Sequence, residues 1–172
     1  YYDNLGRRLD GTFTLDKVTY RTDANGYIVE TSWNGVKYYC QQDPQWAYKI
    51  VGNYYFRGTG CCPTAATMVI NTLKGTNYLP TDVGNLLFQA GHFNTNEEGA
   101  DSGTWPFLSN YFGFELKNYL SQQQAMQELL KGKFVTAAVE GGKFCPWPGA
   151  SHQILLFGLD AQGYTTVYDP YT

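Results

Sequence analysis

Cys61 lies in the passage Gly58-Thr59-Gly60-Cys61-Cys62-Pro63-Thr64, where a loop runs into a helix. Backbone N–H groups at a helix start are unpaired and carry partial positive charge, so a thiol placed there is favoured as thiolate, its nucleophilic form. Gly58 and Gly60 leave room for a substrate backbone to approach. His152 opens an apolar stretch that continues Gln153-Ile154-Leu155-Leu156-Phe157, and Asp169 ends Val167-Tyr168-Asp169-Pro170. If those stretches pair as an antiparallel hairpin, the start of the first lies beside the end of the second, and His152 meets Asp169. A carboxylate there fixes the imidazole tautomer and supports its positive charge. A thiol, an imidazole and a carboxylate so arranged point to nucleophilic attack on a carbonyl. Each residue also has a plainer reading: Cys61 as a buried free thiol, His152 as a satisfied structural histidine, Asp169 as a turn former before Pro170.

The elements that must position these residues follow from pattern. Residues 36–40 read as a strand. Residues 59–74 read as a helix, with Pro63 near its start and Met68, Val69 and Leu73 as an apolar stripe. Residues 81–91 form a second helix candidate with Thr81 as cap and Gly91 as stop, and residues 104–113 a third. Residues 121–131 form a further helix: Ser121 caps it, Gln124 completes a capping box, and Met126, Leu129 and Leu130 face inward. Strands are expected over 134–140, 152–159 and 163–168, with Asp160-Ala161-Gln162-Gly163 as the last turn. Helices followed by an antiparallel sheet indicate an α+β fold.

Residues 1–35 differ. Asp3-Asn4-Leu5-Gly6 and Asp23-Ala24-Asn25-Gly26 mark two turns between short strand-like runs, a hairpin pattern repeated once. The chain opens at Tyr1 inside this pattern and is read as a mature or trimmed fragment. The expected division is a β-hairpin segment over 1–35 and a second domain over 36–172.

Two resemblances add to this reading. Leu15-Asp16-Lys17-Val18-Thr19-Tyr20-Arg21-Thr22-Asp23-Ala24-Asn25-Gly26 resembles the hairpin repeats of bacterial cell-wall-binding and glucan-binding proteins, with Val18-Thr19-Tyr20 in place of the aromatic run and no Trp. The second resemblance runs over roughly residues 37–170. It is carried by Tyr39-Cys40-Gln41-Gln42-Asp43-Pro44-Gln45-Trp46-Ala47, Gly60-Cys61-Cys62-Pro63-Thr64-Ala65-Ala66-Thr67-Met68-Val69, Ser102-Gly103-Thr104-Trp105-Pro106-Phe107, Asn110-Tyr111-Phe112-Gly113, Ser151-His152-Gln153-Ile154-Leu155-Leu156-Phe157-Gly158-Leu159-Asp160 and Tyr168-Asp169-Pro170. In that order these are similar to the C39-like branch of papain-fold cysteine peptidases. The resemblance implies a papain-like cysteine hydrolase, with Cys61 as nucleophile, His152 as base and Asp169 as the group that orients it. It also implies Gln41 as a side-chain donor to the oxyanion beside the Cys61 N–H, with Gln42 as the alternative if the register slips by one. Cys62 stands where the family usually has Gly, and Ser151 where Gly commonly precedes the His. The implied activity is cleavage of a peptide or amide bond in a peptide or peptidoglycan-type substrate, by a secreted or cell-wall-associated bacterial protein that needs no cofactor or metal. Glycan contact would run through residues 1–35. Two alternatives keep the same fold: a catalytically silent surface module that binds wall glycan or protein, and a cysteine transpeptidase or wall amidase.

Composition narrows the remaining classes. The 172 residues are 43% hydrophobic and 16% charged, a globular balance, and formal net charge is −3. No Lys/Arg cluster supports nucleic-acid binding, and no apolar run approaches the ~20 residues of a membrane span. The 15 Tyr, 10 Phe and 4 Trp suit surfaces that touch sugars or peptides. Cys40, Cys61, Cys62 and Cys145 form no CxxC pair, which argues against zinc; one disulfide among Cys40, Cys62 and Cys145 stays open. His92 is expected to pack or face solvent. Glu97, Glu98 and Asp101 read as a solvated loop rather than a calcium site. Trp147, in Cys145-Pro146-Trp147-Pro148, is expected on the rim of the cleft, against substrate or as an edge-packing ring.

Overall fold

Three short N-terminal runs fold as an antiparallel meander in the computed structural model, which describes residues 1–2, 5–95 and 97–172. Strand β1 (Thr12–Leu15) pairs with β2 (Val18–Thr22), and β2 with β3 (Ile28–Trp33). Asp16 turns the first hairpin with φ 52. In the second, Asp23 Oδ1 accepts from the Asn25 and Tyr27 N–H groups at 2.9 Å, and Gly26 takes φ 83. The earlier turn expected at Asp3-Asn4-Leu5-Gly6 rests on Asp3 and Asn4, which lie outside the described residues.

Residues 36–40, expected as a strand, join no ladder. Val36 and Tyr39 are buried while Lys37 and Tyr38 are exposed, a spacing of three that breaks the two-residue alternation of a strand. The segment is held instead by an irregular partner: Gln41 N–H donates to Pro170 O at 2.6 Å, and Tyr38 OH to Asp169 O at 2.7 Å.

A small hairpin of β4 (Ile50–Val51) and β5 (Tyr54–Tyr55) leads into α1 (Phe56–Thr59), and Gly60 separates that turn from α2 (Cys61–Lys74). The single helix expected from residue 59 is therefore two. Every residue of α2 from Cys62 to Thr72 is buried, so the helix is wrapped on all sides rather than striped. Leu73, assigned to the apolar face, is 43% exposed. Two of the threonines inside α2 bond back to their own helix: the Thr67 and Thr72 hydroxyls donate to Pro63 O and Met68 O at 2.7 and 2.6 Å.

Helix α3 (Pro80–Gln89) starts one residue before Thr81, because Pro80 fits the first helical position and Asp82 Oδ2 accepts from Leu79 N–H at 2.8 Å. Thr81 is buried inside the helix and is not its cap. Helix α4 (Thr104–Phe112) stops at Gly113, which is left-handed. Helix α5 (Gln122–Leu130) has the expected capping box, with Gln124 N–H on Ser121 Oγ at 3.3 Å and Ser121 N–H on Gln124 Oε1 at 2.8 Å. Strands β6 (Val135–Glu140), β7 (Ser151–Phe157) and β8 (Thr166–Tyr168) form one sheet in that order. The fold is α+β.

The chain groups into two units. The first comprises Tyr1–Gly35, Leu120–Val135 and Leu156–Val167. In it β3 packs on α5: Thr31 Oγ1 donates to Leu129 O at 2.8 Å, Trp33 Nε1 to Gly132 O at 3.1 Å, and Trp33 stacks on Phe134 at 4.4 Å. Thr31 and Leu159 exchange both backbone hydrogen bonds. The second unit comprises Val36–Tyr119, Thr136–Leu155 and Tyr168–Thr172. Its core holds Phe56, Met68, Ile70, Leu87, Phe93 and Leu155, all fully buried and each contributing about 1.5–3 kcal/mol by leaving water.

Candidate functional site

Cys61, His152, Asp169 and Gln41 all belong to the second unit. Cys61 is the first residue of α2 and partly exposed; its neighbour Cys62 is buried. Gly60 must be glycine for a packing reason. A Cβ there would stand 2.5 Å from Phe56 Cε1 and 2.6 Å from Phe56 O, closer than real side chains approach. Gly60 N–H donates to that same Phe56 O at 2.7 Å, fixing how α1 delivers the chain to Cys61.

His152 is the second residue of β7 and 4% exposed. Asp169 directly follows β8, and its Oδ1 stands 2.6 Å from His152 Nε2. The expected meeting of strand start and strand end is therefore present. With Nε2 committed to the carboxylate, Nδ1 is the ring nitrogen left for another partner; the Cys61 thiol has Thr59 O at 4.0 Å. Burial alone pushes the imidazole pKa down. The hydrogen bonds from Cys61 and Asp169, together with their charges, outweigh it, and the net result lies above the usual 6.5. Burial, then the Cys61 and Asp101 charges, pushes the Cys62 thiol well above its ordinary 9.0. Cys62 stays a protonated packing residue. All four cysteines are free, so the disulfide left open among Cys40, Cys62 and Cys145 is not formed.

Gln41 is 2% exposed, and its Nε2 donates to Arg57 O at 2.8 Å. Gln42 Nε2 reaches the same oxygen at 2.8 Å, so both amides are tied to the segment that leads into α2. Gln41 Oε1 is buried without a hydrogen-bond partner. The Gln41 backbone is bonded to Pro170 O, beside Asp169, so one irregular pairing carries both residues.

Two residues escaped sequence reasoning. Tyr171 N–H donates to Asp169 Oδ1 at 2.8 Å, an Asx turn that holds the carboxylate, and its ring stands edge-on to His152 at 6.4 Å. The signal for that turn was the tripeptide Asp169-Pro170-Tyr171. Tyr38 OH donates to Asp169 O, and no pattern in the sequence announces it. Trp147 lies 6.1 Å from the His152 ring and 4.6 Å from Tyr171.

His92 Nδ1 pairs with Asp101 at 3.1 Å and its ring packs over Gly103, where a Cβ would stand 2.4 Å from it. Its role is to hold the loop before α4. Glu97, Glu98 and Asp101 are exposed, and no group of three or more His, Cys, Asp or Glu that could hold a metal occurs among the described residues. Among them, no helix is long and apolar enough to cross a membrane.

Comparison with known proteins brings one match: the model of the Peptidase_C39 like family matches residues 33–172. No curated protein and no solved structure matches.

Proposed function

The chain belongs to the Peptidase_C39 like family, and from that premise we propose that it is a thiol hydrolase of peptide or amide bonds acting through Cys61, His152 and Asp169. The carrying observation is an imidazole held at Nε2 by Asp169, with Cys61, the first residue of α2, among the groups that raise its pKa. Cys61 gives its proton to His152, and its Sγ adds to the carbonyl carbon. His152 protonates the leaving nitrogen as the C–N bond breaks, leaving a thioester. His152 then takes a proton from water, the water oxygen adds to the thioester carbon, and the C–S bond breaks to release the acid. The Cys61 N–H and the Gln41 amide stabilise the oxyanion in both steps. The partly exposed Cys61 beside a buried, protonated Cys62 supports the choice of nucleophile. The proposal extends to a secreted or wall-associated setting with a peptide or wall-peptide substrate. Support for glycan contact comes from exposed rings in this segment, where Tyr1, Tyr2 and Tyr27 are 50%, 69% and 72% exposed.

The test is iodoacetamide alkylation at neutral pH, read by peptide mass spectrometry. Cys61 should react ahead of Cys40, Cys62 and Cys145, and His152→Ala should slow it. A Cys61 that reacts no faster than its neighbours, or that ignores His152→Ala, sinks the proposal. An added amine acceptor then separates hydrolysis from transfer by product analysis.

A further inference from the structure

The stretch joining β6 to β7 borders a half-open cavity of about 250 Å³. That is below the roughly 300–1,000 Å³ of pockets for whole small ligands, and suits one side chain. Glu140, the last residue of β6, lines it at one place, and Trp147, Pro146 and Pro148 supply apolar wall. Gly141, Gly142 and Gly149 adopt positive φ, and a Cβ at any of them would meet nothing within 4 Å, so the mouth is clear. Cys145 is buried and donates from Sγ to Ala150 O at 3.3 Å, which ties the two ends of the loop together. Among the described residues Glu140 makes no ion pair, so its carboxylate is free to receive a ligand. The cavity and the proposed catalytic base share a wall: Trp147 lines the one and stands 6.1 Å from the ring of the other.

A cavity with an apolar, aromatic flank and one unpaired carboxylate fits a side chain with a hydrocarbon stem and a cationic tip. The stem lies along the indole and the prolines, the cation is attracted to the ring face, and the tip hydrogen-bonds the carboxylate. An acidic side chain would meet repulsion and a neutral one would leave Glu140 unmatched. We propose that this cavity is a specificity pocket that takes a lysine or arginine side chain of the peptide substrate close to the bond that is cut. The proposal rests on the Cys61–His152 reading for its substrate class, but not for its binding.

Two measurements keep the two apart. The first compares alkylation of Cys61 by matched peptidyl chloromethyl ketones that differ only in carrying lysine, norleucine or glutamate. Wild type should favour lysine over norleucine by about tenfold, the order conferred by a charge-assisted hydrogen bond. Glu140→Gln should bring that ratio near one, and Glu140→Lys should turn the preference toward glutamate. The ratio within each variant is what counts. The second uses the full chain carrying Cys61→Ala and follows the Trp147 indole N–H by NMR during titration with Nα-acetyl-lysine methylamide or its norleucine analogue. The lysine compound should shift the signal, and adding Glu140→Gln should abolish the shift. If Cys61 is inert to all three reagents while the indole responds to lysine, the hydrolase reading falls and the pocket stands. A lysine preference that survives Glu140→Gln, equal rates for all reagents, or an indole blind to lysine overturns the pocket.

Discussion

At the scale of single residues, the site is organised by how many partners one imidazole can hold. His152 has two ring nitrogens, and the 2.6 Å contact of Nε2 with Asp169 leaves Nδ1 for the proposed nucleophile. Of the two partners that raise its pKa, the Cys61 hydrogen bond is the larger influence, set against the opposing effect of burial. Cys61→Ala should therefore lower the pKa of His152, and Asp169→Asn should lower it as well, both read from the Cε1 proton by NMR titration. Two unmoved titrations would mean that neither partner supports the charge. Because the folded-state value lies above the unfolded 6.5, the stability it confers is fully present below that pH. It is lost as pH rises through the folded value. Urea midpoints of wild type and Asp169→Asn should converge as the pH is raised across that range. The places of Cys61, His152 and Asp169 in the fold were legible because each sits at or beside an element end that the sequence marks. Tyr38 was not, since a distant hydroxyl leaves no pattern, and Tyr171 had only the local signal of Asp169-Pro170-Tyr171.

Elements decide how well the proposed nucleophile is aimed. Helix α2 was visible in the sequence, but its environment was not. Periodicity separates one apolar face from one polar face, and a helix buried from Cys62 to Thr72 has no polar face to show. Threonines that bond back to their own helix read as polar in a sequence and behave as core in the structure. The break at Gly60 was hidden for a related reason: its glycine is demanded by the Phe56 ring, not by a left-handed backbone. Gly60→Ala should overpack that contact and cost about 1–3 kcal/mol. A lower melting midpoint together with slower alkylation of Cys61 is the expected pair of results. Unchanged melting would show that Phe56 moves aside without loss. Residues 36–40 were misread because the run Val36-Lys37-Tyr38-Tyr39 has the composition of a strand, while its true partners are irregular carbonyls near Asp169.

The whole molecule re-enters its first unit twice, at Leu120 and at Leu156, after leaving it at Gly35. No linear pattern announces such returns, because they depend on which distant surfaces match. Leu129 and Leu159, 2% and 5% exposed, sit in the same unit as β3, and the Thr31 backbone and hydroxyl bond to both. Deleting residues 1–32 should uncover them, lower the thermal midpoint by about 10 °C or more, and speed amide exchange at Leu129 and Leu159. A full-length melting curve from the shortened chain would show that this core stands without the meander. The α+β class was legible from element order alone, since helices and closing strands carry different periods.

The clasp between residues 38–41 and 169–171 has a consequence during synthesis. Tyr38 and Asp169 are separated by 131 positions, as are Cys40 and Tyr171. Pairings so remote close late, after the loops between them have been laid down. A chain emerging from the ribosome presents its thiol long before its imidazole, and its imidazole before the carboxylate that steadies it. On the proposed chemistry, a half-made copy carries a nucleophile with no base, and the cell that makes it is spared its cutting activity until the clasp has shut.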